Sequence, residues 1–326
     1  MEKIIFENFK NKKILVTGGT GLIGRQLIKV FNEKDIKVIS VSLDDYKLDD
    51  LNEYLYGDLT NLDYCRKITK GCDYIFHLAG IKGSADVTIK KMSSHFVPTI
   101  MMNTNVLDSA RFNSVNNLVY TSSIGAYENN EIFKEDEYNI ASQPMDFAGW
   151  AKRLAELQIY SYKKQYDLKG YKIVRPSNVY GPGDNFDPKN AMVIPSILNR
   201  ILNKENPLIV WGDGSAVRDF VFSRDVAIGI IQCVNSKYDD DFLNLGSGKE
   251  TTIKELIETI NNLTKFEYKF DTSKSSGYPK RLMDISLAKN KISYNPSTSL
   301  KDGLKETWEW LIKNKEEYKL KKNYFK

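Results

Sequence analysis

Three glycines at a spacing of three, Gly18, Gly21 and Gly24, fall in the run VTGGTGLIG, between the apolar segment KILVT at 13–17 and an amphipathic stretch reaching about Lys34. A turn of this composition lets backbone approach a pyrophosphate closely. The helix it opens offers that pyrophosphate unbonded N–H groups and a positive dipole end. A glycine triplet alone is weak evidence, but one set between strand and helix near the start of a chain points to dinucleotide binding. In such a unit the end of the next strand meets the adenosine ribose, where a carboxylate accepts from the hydroxyls. Spacing puts Ser42 at that place and Asp44 two residues later, and no arginine or lysine stands there to receive a 2′-phosphate. NAD is therefore expected rather than NADP. Asp58, in YGDLTN, falls where the adenine is met or where a turn or helix cap forms. Arg218, in VRDF, and Arg281 are candidates for a phosphate clamp, because a guanidinium takes oxyanions bidentately. A surface ion pair is the alternative for each.

These groups need elements to hold them. KVISVSL at 37–43, DYIFHL at 73–78 and NLVYTS at 117–122 read as further strands, with helical stretches between them such as 97–113. Strand alternating with helix argues for an α/β fold, a Rossmann-type doubly wound parallel sheet covered on both faces. After Arg175-Pro176 prolines and glycines become frequent, and the pattern loosens into the short mixed elements of a smaller α/β substrate domain. Residues 217–233 read as a return to the main sheet. The expected division is 1–176 plus about 217–245 for the dinucleotide, and a discontinuous 177–216 plus 246–326 for the substrate.

Composition excludes several classes. The chain has 326 residues, 41% hydrophobic and 27% charged, which is enough for one large or two modest domains sharing a core. No apolar run reaches the roughly 18 residues of a membrane span. Residues 1–13 are mixed and charged, without the apolar core of a signal peptide, so a cytoplasmic protein is expected. Cys65, Cys72 and Cys233 form no CxxC and read as buried thiols; with only His77 and His95 as histidines, no metal site is expected. The net charge of +5 owes much to C-terminal lysines, read as a solvated helix end. No basic face with interleaved aromatics calls for a nucleic acid, and a mildly basic balance suits a polyanionic small substrate.

With these segments in view, the chain resembles the NAD-dependent epimerase/dehydratase family, the extended short-chain dehydrogenases that process nucleotide sugars, from about Lys12 to Trp310. The resemblance is carried by VTGGTGLIG at 16–24, GDL at 57–59, HLAG at 77–80, YTSS at 120–123, WAKRLAE at 150–156, RPSNVYGPGDNF at 175–186, WGDGSAVRDFV at 211–221, NLGSG at 244–248 and Arg281 to Asp284. The stretch at 178–198 is most like GDP-sugar members such as GDP-fucose synthase. The resemblance implies NAD as cofactor, a nucleotide sugar as substrate with GDP favoured, and a homo-oligomer. It sets Thr20, Leu22 and Ile23 at the dinucleotide with the glycines, together with Leu59, Leu78, Ala79, Gly80 and Pro176. It sets Asn178 at the diphosphate, Val193 at a helix N-terminus facing the nucleotide (where Asn190 could equally be only the cap), and Lys82 and Ser84 near the sugar. His77 is read as structural or cofactor-adjacent.

The family's catalytic set is serine or threonine, tyrosine, and a lysine four residues after the tyrosine. By motif the serine is Ser123 and the lysine Lys152, which also holds the nicotinamide ribose. The tyrosine position is Ala148, in DFAGWAKR, and alanine has no ionisable proton. Three readings are open. The alanine is an engineered change that stalls turnover; or it is natural, with Lys152 acting directly or through water, or Tyr127 entering the site; or the protein is a silent binder. Phe147 and Trp150, an apolar wall around a small residue, incline toward the natural one. Absences narrow the chemistry. The Asp-Glu that follows the catalytic hydroxyl in 4,6-dehydratases is Ile124-Gly125 here. The cysteine and histidine with which GDP-fucose synthase epimerises are Gly125 and Gly183. What remains is redox at one carbon, C4 by family geometry: a C4 dehydrogenase of a GDP-hexose or GDP-heptose, with a 4-epimerase as the alternative. Denaturing the purified protein is expected to release a nicotinamide dinucleotide, identifiable by mass.

Overall fold

The computed structural model describes residues 6–81, 83 and 89–320; Lys82 and Ser84, expected near the sugar, lie outside the described residues. In chain order the strands are β1 (Ile14–Thr17), β2 (Ile39–Ser42), β3 (Glu53–Tyr56), β4 (Tyr74–His77), β5 (Asn117–Thr121), β6 (Ile132–Phe133), β7 (Tyr171–Pro176), β8 (Asn178–Tyr180), β9 (Leu208–Trp211), β10 (Val217–Arg218), β11 (Phe220–Phe222), β12 (Leu243–Leu245), β13 (Thr251–Thr252), β14 (Tyr268–Asp271) and β15 (Lys280–Met283). The helices used below are α1 (Leu22–Asn32), α2 (Leu62–Thr69), α3 (Met92–Phe112), α4 (Phe147–Tyr166), α5 (Val193–Leu202), α6 (Ser223–Asn235), α7 (Ile253–Thr264), α8 (Ser286–Ile292) and α9 (Leu300–Lys313).

Seven strands form one parallel sheet in the order β12-β7-β5-β4-β1-β2-β3, the Rossmann-like α/β arrangement expected. Side chains alternate faces along each strand, so both faces of β1 enter a core. Ile14 and Val16 pack with Leu27 and Phe31 of α1 and Val226 and Ile230 of α6. Leu15 packs on the other side with Ile75, Met102 and Val106 of α3 and Ile159 of α4. A strand buried on both faces must read as an unbroken apolar run, which is why ILVT is legible in the sequence. A separate core holds Phe186, Ile194, Leu198, Leu208, Leu256, Ile260, Leu304 and Leu311, from α5, β9, α7, α9 and the segment before α5. No helix among the described residues is long and apolar enough to cross a membrane.

Residues 217–233 do not return to the main sheet as strands. β10 pairs with β13 and β15, and β11 pairs in parallel with β8. It is α6 that comes back, laid on the sheet because Val226, Ala227, Ile230, Ile231 and Val234 repeat at helical spacing and are buried. The strand that joins the sheet is β12, beside β7. Further on, Ile285, Ala288, Ile292 and Tyr294 also pack into the core that holds β1 and α6, so the chain visits the large core once more after the expected boundary at 246.

A contact of bare backbone sets the start of α4. Asp146 caps it, accepting from the Gly149 N–H at 2.7 Å. A Cβ on Gly149 would lie 1.9 Å from the Gly125 carbonyl oxygen. Only glycine lets this first turn press on the short 3₁₀ turn Ile124–Ala126 that follows β5.

The junction between the sheet and the smaller lobe is held by Asp219, 0% exposed, between β10 and β11. One carboxylate oxygen accepts from Ser177 Oγ at 3.1 Å, Ser247 N at 2.8 Å and Ser247 Oγ at 2.7 Å, and the other from Gly248 N at 3.2 Å. Removing the acceptor leaves the buried Ser177 hydroxyl and the half-buried Ser247 donors without this partner. Asp219→Ala is therefore expected to lower stability by about 3–5 kcal/mol, read from urea unfolding.

Candidate active site

The glycine-rich turn is closed by space rather than by side chains. Gly18 has φ +71, its N–H donates to Val41 O at 2.7 Å, and a Cβ there would meet Ala79 Cα at 2.8 Å. A Cβ on Gly24 would lie 2.2 Å from Gly18 O. Gly21 is the N-cap of α1 and has no side chain to cap it, so the first-turn amides of Leu22, Ile23 and Gly24 have no partners within the helix. A cradle of backbone N–H groups cleared of Cβ atoms fits a dinucleotide pyrophosphate.

At the end of β2, Ser42 Oγ and Asp44 Oδ2 converge on the Thr20 hydroxyl at 2.6 and 2.7 Å. Arg25 also stands here, its guanidinium bonded to Thr20 O at 3.3 Å. It is ion-paired to Glu317 and stacked over Trp310 at 5.0 Å, so a 2′-phosphate would compete with a carboxylate for it. Asp58 accepts from Thr60 N and Thr60 Oγ1, both at 2.9 Å, which is the turn role. Leu59 is buried, and its carbonyl accepts from Asn105 at 3.1 Å. Leu78 and Ala79 are tied to Thr17 through its carbonyl, at 3.2 Å, and its hydroxyl, at 3.3 Å. Gly80 follows them, and Pro176 ends β7.

Ser123, Ala148 and Lys152 are brought together by α4 resting on the 124–126 turn. Ser123 Oγ accepts from Gly125 N at 3.1 Å, which leaves its own proton for another acceptor. The Lys152 ammonium donates to Thr121 O at 2.9 Å, lies 5.2 Å over the Tyr120 ring, and sits 3.3 Å from where a Gly80 Cβ would be. Burial pushes its amine down to about 8, against the pull of Glu156 one turn on. Glu156 is itself occupied by Arg175 at 2.6 Å. Phe147 is half-exposed, and its ring meets Phe96 edge-on at 5.6 Å.

Tyr127 does not supply the missing phenol. Its hydroxyl donates to Asn244 Oδ1 at 2.9 Å, its ring lies 4.3 Å from the Arg175 guanidinium, and burial raises its pKa above the ordinary value. The sequence places it four residues from Ser123, but the turn carries it into the core behind the site. His77 is also committed, with Nδ1 2.7 Å from Thr17 Oγ1 and Nε2 3.1 Å from Asn103 Oδ1; burial holds it at about 3 and therefore neutral.

Across from this centre, the parallel pairing of β10 with β15 sets Arg218 opposite Arg281. Arg218 donates to Val217 O and Tyr278 O at 2.8 and 2.7 Å; Arg281 donates to Asn129 Oδ1 at 3.1 Å and lies 4.1 Å over the Tyr278 ring. Burial lowers the pKa of both, and Arg281 lowers that of Arg218 further. No carboxylate among the described residues forms an ion pair with either, so two half-buried like charges stand together, an arrangement that favours a polyanion between or beside them. Asn178 donates to Asp219 O at 3.0 Å. Val193 opens α5, but the cap is Met192, without a side-chain bond, and not Asn190, which is buried two residues earlier.

Two residues near this centre carry no motif. Asp146 acts electrostatically on Arg281, and both Asp146 and Lys152 act on His95 of α3. Their proximity depends on how α3 crosses α4, which no local pattern encodes; the only sequence hint was the scarcity of histidine.

Comparison with known proteins agrees with the fold. Residues 14–246 match the model of the NAD dependent epimerase/dehydratase family. GDP-L-fucose synthase 1 of Arabidopsis thaliana is 27% identical over 314 residues, covering 94% of each chain. Among solved structures, an epimerase of Methanothermobacter thermautotrophicus aligns at a TM-score of 0.86 with 25% identity, covering 97% of this chain and 96% of that one. UDP-glucose 4-epimerase of Thermotoga maritima, solved with UDP-glucose, aligns at 0.80 with 27% identity, covering 92% and 99%. Gly24→Ala is expected to weaken NAD binding about tenfold or more by calorimetry, because the added methyl meets backbone that must move out of the pyrophosphate position.

Proposed function

The chain belongs to the NAD-dependent epimerase/dehydratase family, whose members act on nucleotide sugars, and from that premise we propose that it oxidises C4 of a GDP-linked hexose or heptose. The observation that carries this reading is a frame for hydride transfer, lacking only the phenol at position 148, without groups for a second kind of chemistry. The glycine cradle, Ser123 and Lys152 are assembled, while positions 124, 125 and 183 hold isoleucine and two glycines in place of proton-transferring side chains. Gly183 has no room for one: a Cβ there would lie 2.0 Å from Arg25 Nε.

The roles then follow. Thr20, Ser42 and Asp44 receive the adenosine ribose, and the first turn of α1 receives the pyrophosphate. When bound, NAD supplies the hydride acceptor. Ser123 donates its free proton to the reacting sugar oxygen. The Lys152 ammonium, buried and ion-paired to no carboxylate among the described residues, stabilises negative charge growing on that oxygen. Asn178, Arg218, Arg281 and the N-terminus of α5 hold the diphosphate. Residues 1–176 with α6 and β12 serve the dinucleotide, and the smaller lobe, with β10 and its Arg218, serves the nucleotide sugar. The GDP-sugar enzyme among the relatives supports the choice of base. The half-exposed Val97, Met101, Leu154 and Tyr160 on α3 and α4 offer an apolar surface for a homo-oligomer.

A 4-epimerase is the second reading, favoured by the UDP-glucose 4-epimerase likeness. Mixing the NAD-loaded protein with GDP-sugars labelled with deuterium at C4 separates the two. The dehydrogenase accumulates reduced, deuterated cofactor and a 4-keto sugar; an epimerase yields an epimer with no net reduction. Because Lys152 loses its charge as pH rises through about 8, turnover is expected to fall there. Lys152→Met is expected to lower turnover about a hundredfold or more.

A further inference from the structure

The C-terminal end of the chain comes back to the cofactor side of the molecule. α9 buries Leu304 and Leu311 in the smaller core, and its Glu306 meets Lys29 of α1 at 3.8 Å. Near the end of α9, Trp310 stacks on the Phe186 ring at 5.9 Å and lies 5.0 Å from the Arg25 guanidinium. Past α9 the chain turns, the Glu317 N–H donating to Asn314 O at 3.1 Å. The Glu317 carboxylate then closes on the same guanidinium. Arg25, the fourth residue of α1, is only 9% exposed. Its hydrogen bonds to described residues all run through Nη2: to Glu317, to Thr20 O at 3.3 Å and to the Tyr46 hydroxyl at 3.4 Å. Thr20 carries the hydroxyl on which Ser42 and Asp44 converge, and Tyr46 lies two residues beyond Asp44. The fold therefore sets a cation against the ribose site from two sides and covers it with a carboxylate from the far end of the chain.

We propose that Glu317 is a coenzyme-specificity residue: by holding the Arg25 guanidinium, it keeps the adenosine ribose site from accepting a 2′-phosphate. The inference deepens the reading of Thr20, Ser42 and Asp44 as the ribose site and rests on it. A guanidinium binds carboxylate and phosphate through the same donors, so either can replace the other. Here the carboxylate is part of the chain and always at hand. A 2′-phosphate has to displace Glu317 from Nη2, and it then faces the charges of Asp44 and Glu317 against that of Arg25. With position 317 uncharged, Asp44 and Arg25 balance, and the phosphate gains a cation without an anion to expel. A 2′-hydroxyl carries no charge and is indifferent to this exchange. The two carboxylates divide the selection: Asp44 accepts from the ribose hydroxyls, while Glu317 takes away the cation that a phosphorylated ribose needs.

Calorimetry on the full chain reads this without turnover. Glu317→Gln keeps the shape and an oxygen acceptor at Arg25 while removing the charge. It is expected to tighten NADP binding about tenfold or more and to leave NAD within about threefold. Adenosine 2′,5′-bisphosphate is expected to gain as NADP does and AMP to gain nothing, which places the effect at the 2′-phosphate. Adding Arg25→Met to Glu317→Gln is expected to cancel the gain. An NADP affinity within about threefold of the parent's, in a Glu317→Gln protein that still binds NAD, overturns the assignment. So does a gain that survives Arg25→Met. A Glu317→Gln protein that loses NAD and AMP binding overturns it as well, since Glu317 is then a structural tie and not a selector. If the unsubstituted protein takes up neither dinucleotide, it is the reading of the glycine turn and ribose site that fails; a parent that binds NAD leaves that reading standing whatever Glu317→Gln does.

Discussion

One buried carboxylate holds the two halves of this molecule in register. Asp219 stands between β10, which carries Arg218, and β11, which pairs with the strand of Asn178, and it gathers donors from the loops after β7 and β12. Its backbone carbonyl takes the Asn178 amide as well. A buried anion is tolerable only when every oxygen is met by donors. Meeting that condition forces the cation pair of the smaller lobe, Arg218 and Arg281, into a set position relative to the sheet. Arg25 makes a second tie, from α1 across to Glu317 and Trp310. The proposed diphosphate site is therefore built on a junction whose geometry leaves little freedom.

The centre beneath it is organised by unequal treatment of buried charges. Arg175 has a carboxylate, Glu156, and three aromatic rings around it, with Phe242 as near as 3.6 Å. Lys152, on the same helix as Glu156, has among the described residues a carbonyl and a ring face. An ammonium left in that state is held at about 8, and its unspent field acts on whatever oxygen comes near. Tyr127 is drawn into the Arg175 cluster, so the phenol four residues beyond Ser123 is removed from the chemistry. Ala148, on the first turn of the helix that carries Lys152, leaves that centre with the Ser123 hydroxyl and the Lys152 ammonium and no phenol.

Much of this was legible in the residues, for identifiable reasons. Strands β1, β2, β4 and β5 are apolar runs because both their faces are covered. The Gly18–Gly24 turn shows itself because no other residue fits its contacts, with a Cβ on Gly24 reaching Gly18 O. β3 escaped notice because EYLY lies at the sheet edge and is half-exposed. That 217–233 returns to the sheet is legible, but that it does so as α6 is not, because a buried segment such as VFSRDVAIGIIQCVN carries apolar residues compatible with either period until its partners are known.

What the residues determined alone was local: where backbone must approach backbone, which positions carry donors for an anion, and that position 148 has no proton to exchange. Those facts follow from side-chain size and chemistry and survive any packing. Which charges meet could be decided only by the tertiary structure. The facing of Arg218 and Arg281 and the removal of Tyr127 to Asn244 and Arg175 each join segments dozens of residues apart in the chain. Electrostatic coupling depends on distance and burial, and neither is a property of a residue until the helices and sheet have closed around it.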